Sequence, residues 1–327
     1  MRLVQFKTIE GKNSVAIVLG ETLQLILNFS YTYELAQRAI SEATTLEKLI
    51  EKNLSSERID YIEVINSNRL LSPIHHADPA HFWITGTGLT HSGSATTRDA
   101  MHKALEEEDL SDSMKIFKMG IEGGKPSKGK IGVQPEWFYK GNGTSVIPPN
   151  GTIEFPDYAL DGGEEPESVG LYLIGNDGNP YRIGYALGNE YSDHVMERIN
   201  YLYLAHSKLR QCSFGPELLL GELPKEVKGK VSVIRNQETI WSKEFLSGEN
   251  HMIHSFENLE YHHFKYDLFR NPGDLHCHFF GTATFSFGDG IKVEDGDEFK
   301  IESEVFGKSL HNKLKKVSKK RIEIKVL

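Results

Sequence analysis

The sequence predicts an α+β protein in which curled β-sheets with a few packed helices form the larger part. Two patterns carry this prediction. After residue 110, short alternating runs of apolar and polar residues are separated by Gly, Pro, Asn and Asp, which is typical of strands and turns. Helical periodicity is confined to isolated stretches, at residues 95–107, from Asp193 through 200–209, and at 256–268.

The N-terminal segment has a different pattern, and it predicts a small α+β unit. We expect strands at 3–6 and 14–19, followed by helices at 33–40 and 46–54. A proline- and histidine-rich connector, LSPIHHADPAH, then leads into the rest of the chain. The sequence therefore predicts two domains, residues 1–72 and residues 73–327.

The connector contains His75, His76, Asp78 and His81, which are possible ligands of a transition metal. A closed metal site requires ligands that regular elements hold in place, and this proline-broken stretch offers no such element. We therefore favour the interpretation that these residues only form the connector.

Composition excludes several classes of function. The net charge of −9 disfavours binding to nucleic acid, because it repels the phosphate backbone. A cluster of lysines before the closing run IEIKVL is interpreted as the solvated flank of a terminal strand. Two cysteines, no leader-like N-terminus and no long apolar run predict a cytoplasmic protein that does not bind a membrane.

The stretch from Asp161 to Asp193 is the most informative part of the sequence. Two apolar runs flank Asp177-Gly178, a strong signal for a β-hairpin. A two-residue turn there pairs Asn176 with Asn179, and the same register places Glu165 opposite Glu190. Glu167 lies two residues further along and faces the same side, so three carboxylates are expected on one patch.

Such a cluster repels itself when it is ionised, so it requires raised pKa values or a bound cation. An all-oxygen ligand set is typical of Mg²⁺, Mn²⁺ or Ca²⁺ sites. From composition and spacing alone, three exposed glutamates on a solvated hairpin are the slightly favoured alternative.

A family resemblance reverses that preference. The order Glu165-x-Glu167, an apolar strand, then Gly-x-x-x-Gly-Asn-Glu190 resembles the metal site of the fumarylacetoacetate hydrolase superfamily, where Glu-x-Glu is followed by Asn-Asp. Three later segments, at 207–221, 271–284 and 293–312, are similar to the family's lysine loop, its Pro-Gly-Asp with Gly-Thr, and its final motif. The resemblance covers about 73–327.

The stretches GTGLTHSGSATTRDAMH and GNEYSDHVMERINYLYLAHSKLR resemble a bacterial subgroup of the superfamily associated with sugar-acid catabolism. The resemblance implies mixed β-sheets rolled around a central cavity, a homodimer, and catalysis on 2-keto or 1,3-diketo acids. It also implies that Glu165, Glu167 and Glu190 hold the metal, Mg²⁺ or else Mn²⁺ or Ca²⁺. Glu190 replaces the family's aspartate and keeps its charge.

A second departure affects the reaction. Ser94 stands where many C–C hydrolases of the superfamily have a lid histidine that activates water, and serine is no general base near neutral pH. His91, three residues earlier, is the candidate substitute. A 2-keto acid chelated to the metal can instead lose its C3 proton and then its C4 hydroxyl, which requires no activated water. We therefore expect a dehydratase of a 2-keto-3-deoxy pentonate that yields 2,5-dioxopentanoate.

The resemblance also assigns roles to residues outside the metal trio. Lys208 matches the family lysine and is expected to hold the enolate or exchange the proton. The residues expected to contact the substrate are Lys140, Thr282, Ser94 and Arg98. For Lys140 a contact with the acidic cluster is the alternative. A surface lysine at 208, a buried structural threonine at 282 and helix-surface positions for Arg98 and His91 are the alternatives.

Three other functions compete with the dehydratase. A C–C hydrolase of diketo acids needs a base that the sequence does not obviously provide. An oxaloacetate-type decarboxylase would use the same metal and enolate. A sugar-acid binding protein without turnover is disfavoured, because binding alone needs no Lewis acid.

Overall fold

The computed structural model describes residues 1–93 and 110–327. Two residues with predicted roles, Ser94 and Arg98, lie outside the described residues, as does the helix predicted at 95–107.

The described part of the chain is rich in short strands. They are β1 Arg2–Lys7, β2 Asn13–Leu19, β3 Thr22–Ile26, β4 Leu54–Asp60, β5 Phe82–Gly86, β6 Phe138–Asn142, β7 Val146–Ile147, β8 Thr152–Pro156, β9 Pro166–Ile174, β10 Pro180–Asn189, β11 Cys212–Phe214, β12 Leu218–Leu219, β13 Val227–Arg235, β14 Glu238–Ser247, β15 Leu275–Phe279, β16 Glu298–Glu302 and β17 Leu310–Val317.

The α-helices of the described residues are short and are spread along the chain. They are Thr32–Ser41, Leu46–Lys52, Tyr61–Asn66, Asp112–Gly123, His194–Ile199, Leu204–Lys208 and Phe256–Phe264. Single turns of 3₁₀-helix lie at Pro79–His81, Gly143–Ser145, Tyr201–Tyr203, Glu249–His251, Asp267–Phe269 and Ser286–Asp289.

The strands form two mixed sheets. The larger has the order β4-β3-β2-β1-β12-β10-β9-β15-β5-β6, with β11 and β7 attached beside β10, and the smaller has the order β14-β13-β16-β17-β8. Most pairs are antiparallel, while β5 with β15, β7 with β11 and β8 with β17 are parallel. The predicted α+β class with mixed sheets is confirmed.

The predicted strands and helices of the N-terminal unit are confirmed, each to within about two residues at its ends. β1 pairs with β12 of the larger unit, so one sheet continues from residues 1–72 into residues 73–327. The division into two domains at this boundary stays a prediction.

β9 and β10 form the rigid support of the sheet. All nine residues of β9 are buried, and the strand is paired on one side with β10 and on the other with β15. Val169, Leu171 and Leu173 belong to the largest apolar core, which also contains Leu35 and Ile50 from the N-terminal helices. Each such side chain contributes roughly 1.5–3 kcal/mol when fully buried, so the start of β9 is firmly held.

The hairpin between β9 and β10 differs from its prediction in two places that cancel. The backbone N–H of Gly175 donates to Asn179 O at 2.9 Å, so the loop between them has three residues, with Gly178 at φ +73°. The predicted two-residue turn, which pairs Asn176 with Asn179, is therefore wrong. A β-bulge between Arg182 and Gly184 then shifts the pairing by one residue. Beyond the bulge the pairing follows the predicted register.

Two further predictions are wrong. The helix predicted from Asp193 onward is interrupted at Asn200, whose backbone is extended and whose Oδ1 accepts a hydrogen bond from Leu202 N at 3.0 Å. The closing run 322–327 is not in a strand. β17 ends where Val317 meets Pro156, and proline cannot continue the ladder.

Cys212 and Cys277 are both buried and unpaired with each other, as expected of core thiols. Across residues 1–93 and 110–327, no helix combines the length and the apolar character that a membrane span requires.

Candidate active site

Three buried glutamates meet where β9 begins and β10 ends. Glu165 and Glu167 flank Pro166 at the start of β9, and Glu190 follows the last residue of β10. Glu190 N donates to Glu165 O at 2.9 Å, which is the register that the sequence predicts beyond the bulge. One carboxylate oxygen from each residue lies within 4.8 Å of the others, so the predicted convergence of the three side chains is confirmed.

The three side chains are not on a solvated surface. Glu165, Glu167 and Glu190 are 8%, 1% and 0% exposed, which removes the alternative of a solvated hairpin. Burial of three carboxylates is costly unless cations or hydrogen-bond donors compensate it.

Lys208 supplies part of this compensation. The residue ends the helix Leu204–Lys208, and its Nζ lies 2.9 and 3.0 Å from the two oxygens of Glu165 and 2.5 Å from Glu190 Oε2. The same Nζ lies 5.0 Å from the ring centroid of Phe138. The alternative of a surface lysine at 208 is therefore wrong.

Lys140 compensates Glu190 from the opposite side. Its Nζ lies 2.7 Å from Glu190 Oε1 and donates to Tyr191 O at 2.6 Å and Lys208 O at 3.2 Å. The side chain is fully buried and does not line the cavity beside the cluster. Of the two contacts that the sequence suggests for Lys140, the structure therefore shows the one with the acidic cluster.

Glu167 is held by the backbone. Its Oε2 accepts a hydrogen bond of 2.7 Å from Gly281 N, in the Gly-Thr segment that follows β15. Gly281 has φ +100°, and a Cβ there would lie 2.4 Å from Thr90 Oγ1. Both observations require glycine at this position.

The pKa values of the cluster separate its members. Burial opposes ionisation of Glu165, but the charge of Lys208 and the hydrogen bond from His194 hold the pKa of Glu165 well below its usual value. Burial, followed by repulsion from Glu190 and Glu165, raises the pKa of Glu167 well above its usual value. Burial raises the pKa of Glu190 to about 7, although Lys140 and Lys208 act against it.

Lys208 itself is held as an ammonium. Burial alone would lower the pKa of Lys208, but the charges of Glu165 and Glu190 outweigh burial and raise that pKa above its usual value.

His194 belongs to the site, although the sequence did not single it out. It begins the helix His194–Ile199, its Nε2 lies 2.9 Å from Glu165 Oε1, and its Nδ1 lies 3.3 Å from Asp161 Oδ2. Burial acts to lower the pKa of His194, but the hydrogen bonds with Asp161 and Glu165 raise it to about 10. The helix-start pattern Ser-Asp-His beside Glu190 was the available signal.

A second buried carboxylate, Glu164, also escaped the sequence analysis. It points away from the trio and accepts hydrogen bonds from Ser286 N at 2.7 Å and Ser286 Oγ at 2.8 Å. Burial raises the pKa of Glu164 to about 7. The role of Glu164 is to fix the loop after Thr282 against the start of β9.

A small cavity of about 50 Å³ opens beside the cluster. On the scale where one water needs about 10–15 Å³, it accommodates three to five waters or the head of a short ligand. Glu165, Glu167, Glu190, Lys208 and His194 line it together with Thr282. Other lining residues are apolar, at Leu89, Phe138 and Phe285, or polar, at Ser113, Arg198 and Tyr201.

His91 does not line this cavity. Its Nε2 lies 2.9 Å from Leu246 O, and its Nδ1 accepts a hydrogen bond from Gly93 N. Burial lowers the pKa of His91 to about 4, so the ring is neutral at pH 7. The structure therefore does not bring His91 together with the glutamates.

The connector histidines have structural partners. His81 Nδ1 lies 2.7 Å from Asp274 Oδ1, which ties the connector to the Pro-Gly-Asp loop. His76 Nδ1 accepts a hydrogen bond from Asp78 N. Among the described residues, Glu165, Glu167 and Glu190 form the one cluster of three or more metal-ligating side chains.

The chemistry of the trio fits a hard divalent cation. The available donors are carboxylate oxygens, which Mg²⁺, Mn²⁺ and Ca²⁺ prefer. The two lysines compensate Glu165 and Glu190, whereas Glu167 has a backbone N–H as its donor and is repelled by both neighbours. A cation bound beside Glu167 would relieve this repulsion.

No family model matches the sequence, and no curated protein sequence matches it either. Solved structures do match over the full length. A 2-keto-3-deoxy-D-arabinonate dehydratase is similar with a TM-score of 0.71 and 19% identity, over 98% of this chain and 100% of that one. A structure of a 2-keto-3-deoxy-D-arabinonate dehydratase complexed with magnesium and 2,5-dioxopentanoate gives a TM-score of 0.70 and 19% identity over the same shares.

The fold is shared with an enzyme of a different reaction. A 5-carboxymethyl-2-hydroxymuconate delta-isomerase from Mycobacterium smegmatis is similar with a TM-score of 0.59 and 17% identity, over 97% of this chain and 100% of that one. At such identities the likeness concerns the fold. The chain therefore has the fold of these enzymes, which is the fold that the resemblance to the fumarylacetoacetate hydrolase superfamily implies.

Proposed function

We propose that the protein is a magnesium-dependent dehydratase that converts a 2-keto-3-deoxy pentonate into 2,5-dioxopentanoate and water. The observation that carries the proposal is the convergence of three buried carboxylates and one lysine on a small cavity. The similar fold that contains magnesium and 2,5-dioxopentanoate supports it. We propose a homodimer, as the resemblance implies, and a cytoplasmic location, which rests on the composition of the sequence.

Glu165, Glu167 and Glu190 would hold the cation, with Mn²⁺ or Ca²⁺ as alternatives to Mg²⁺. When bound, the cation supplies Lewis-acid polarisation of the 2-keto group, which acidifies the neighbouring C3–H. The protein's part is to fix these carboxylates, which β9, β10 and Gly281 do through buried backbone contacts.

The reaction removes one molecule of water and moves two hydrogens. A proton leaves C3, the C4–O bond breaks, and the departing hydroxide takes up a proton to become water. The C5 carbon and its hydroxyl then each give up a hydrogen, while C3 and C4 each gain one, which yields the aldehyde at C5.

Lys208 is suited to serve these steps as a donor. Its ammonium lines the cavity and is kept charged by Glu165 and Glu190. An ammonium there stabilises negative charge on a substrate oxygen and donates a proton to the departing hydroxide, and the proton that leaves C3 restores the ammonium. Thr282 lines the same cavity beside Gly281, and we propose that its hydroxyl binds the substrate carboxylate.

Hydrolysis of a C–C bond requires a base that activates water, and the described part of the cavity argues against it. His194 is the one histidine among the described lining residues, and both of its ring nitrogens face carboxylates. His91 is turned away from the cavity. The elimination of a hydroxyl needs an acceptor for the C3 proton but no base that activates water, so the geometry favours the dehydratase over the hydrolase.

The test compares two glutamate variants by proton NMR of 2-keto-3-deoxypentonates incubated with protein and Mg²⁺. Glu165→Ala removes a cavity carboxylate, and we expect it to abolish the appearance of 2,5-dioxopentanoate. Glu238→Ala is the matched control, because Glu238 is exposed on β14 in the other sheet.

We expect the Glu238→Ala variant to retain the rate of the unmodified protein. An undiminished rate in Glu165→Ala would remove the assignment of the site. If the protein releases carbon dioxide from oxaloacetate and leaves 2-keto-3-deoxypentonates of both configurations unchanged, a decarboxylase at the same site replaces the dehydratase as the proposed function.

A further inference from the structure

We infer that His194 is a positioning residue that orients the Glu165 carboxylate for the cation, with Asp161 fixing the other side of the imidazole ring. This inference rests on the proposed metal site and adds a residue that the metal trio does not include. Three groups stand in a row, carboxylate, imidazole and carboxylate, and the ring contacts them at 3.3 Å and 2.9 Å.

The ring of His194 is fixed by aromatic packing as well as by hydrogen bonds. It stacks on Phe285 with a centroid distance of 4.9 Å and an interplanar angle of 7°, and on Phe287 with 5.2 Å and 15°. Both phenylalanines follow the Gly-Thr segment, which also contacts Glu167 through Gly281. The loop that anchors one glutamate of the trio therefore also fixes the histidine that contacts another.

The backbone leaves room for this ring and for little else. A Cβ on Gly163 would lie 2.7 Å from His194 Nδ1 and Cε1, and a Cβ on Gly162 would lie 1.8 Å from Tyr191 Oη. Gly163 therefore allows the ring to approach the start of β9 closely, whereas Gly162 makes room for Tyr191. These close contacts explain the two glycines in the run Asp-Gly-Gly-Glu-Glu.

Glu165 needs an external constraint because Lys208 contacts both of its oxygens. The Lys208 Nζ lies at nearly equal distances from Oε1 and Oε2, 2.9 and 3.0 Å, so it does not by itself favour one rotation of the carboxylate. His194 contacts Oε1 only. The histidine therefore engages Oε1 and leaves Oε2 as the oxygen available to a cation, as groups behind metal ligands do in known sites.

The experiment measures cation affinity and needs no turnover. Isothermal titration of protein stripped with chelator against Mn²⁺ gives the dissociation constant for the unmodified chain, His194→Phe and His194→Gln. Phenylalanine keeps the aromatic stacking and removes both N–H groups, whereas glutamine can still donate to Glu165.

We expect a dissociation constant roughly 10–100-fold higher for His194→Phe, which is the usual effect of losing a group behind a metal ligand, and partial recovery for His194→Gln. The electron paramagnetic resonance spectrum of bound Mn²⁺ should broaden in His194→Phe, since a less fixed carboxylate gives a wider range of ligand geometries. Asp161→Asn keeps the size of the outer carboxylate and should also raise the dissociation constant of Mn²⁺. It is the second test of the inference and replaces His194→Phe if that variant does not fold.

The outcomes separate this inference from the proposed function. An unmodified chain that binds no Mn²⁺ would overturn the metal site itself. If the unmodified chain binds Mn²⁺, and folded His194→Phe and Asp161→Asn bind it with dissociation constants within twofold of the unmodified value, only the positioning role is overturned.

Discussion

Replacing Lys140 by methionine tests whether this lysine supports the cluster or binds the substrate. The structure buries Lys140 Nζ fully against Glu190 Oε1 at 2.7 Å and against two backbone carbonyls. Methionine keeps most of the stem but leaves Glu190 without one of its two cationic partners. Removing one partner of a buried ion pair typically costs about 3–5 kcal/mol.

Urea unfolding at pH 7 is the assay, with Lys243→Met as the control. Lys243 forms an exposed ion pair with Asp289 at 3.0 Å, and such pairs contribute about 1 kcal/mol or less. We expect Lys140→Met to lower the free energy of unfolding by about 3–5 kcal/mol. Adding Glu190→Gln to that variant should cost less than it does in the unmodified chain, because there it removes a charge that has already lost one of its partners.

Unchanged stability together with weaker substrate binding would contradict a supporting role for Lys140. If Lys140→Met unfolds within about 1 kcal/mol of the unmodified protein while KM for the pentonate rises, Lys140 binds substrate instead of supporting Glu190.

Two further predictions concern a buried histidine and a constrained glycine. Burial lowers the pKa of His278 to about 3, below the unfolded value near 6.5, so the unfolded state binds more protons and stability is lost as pH falls below about 6.5. His278→Asn should therefore lose about 2 kcal/mol less stability than the unmodified protein between pH 7 and pH 5 in urea unfolding, and equal losses would contradict it. Gly281→Ala should lower turnover at least about tenfold, because its Cβ would meet Thr90 and displace the donor to Glu167. Gly290→Ala, at φ +81° with nothing within 4 Å, is the control, and equal turnover in both variants would contradict the contact.

The hairpin shows how a sequence prediction can succeed at the site although its turn is wrong. The Asp-Gly signal correctly indicated a hairpin, but the loop holds three residues between Gly175 and Asn179. The bulge between Arg182 and Gly184 then returns the pairing to the predicted register. A bulge depends on how the bent strand packs against its neighbours, so the local sequence did not indicate it.

The lysines and the histidine of the site were harder to predict from the sequence than its three carboxylates. Glu165 and Glu167 are two residues apart, and one hairpin relates them to Glu190, so period-two alternation sufficed. Lys140, Lys208 and their contacts come from other elements, and the family resemblance identified them. His194 lies only four residues from Glu190, but its stacking on Phe285 depends on a loop that is remote in sequence.

The interruption at Asn200 and the end of β17 have a common cause. In each case a single residue satisfies or removes a backbone group, through the Asn200 side chain or through Pro156. Periodicity of apolar residues does not report such local events, and it predicted a longer helix and a further strand.

The most direct test of the proposed dehydratase function is a proton NMR time course. The unmodified protein is incubated with 2-keto-3-deoxypentonates of both configurations, once in Mg²⁺ and once in chelator. We expect 2,5-dioxopentanoate to appear from one configuration in Mg²⁺ and the chelator to stop its formation. The same rate in chelator, or unchanged pentonates beside cleavage of acylpyruvates, would contradict this expectation.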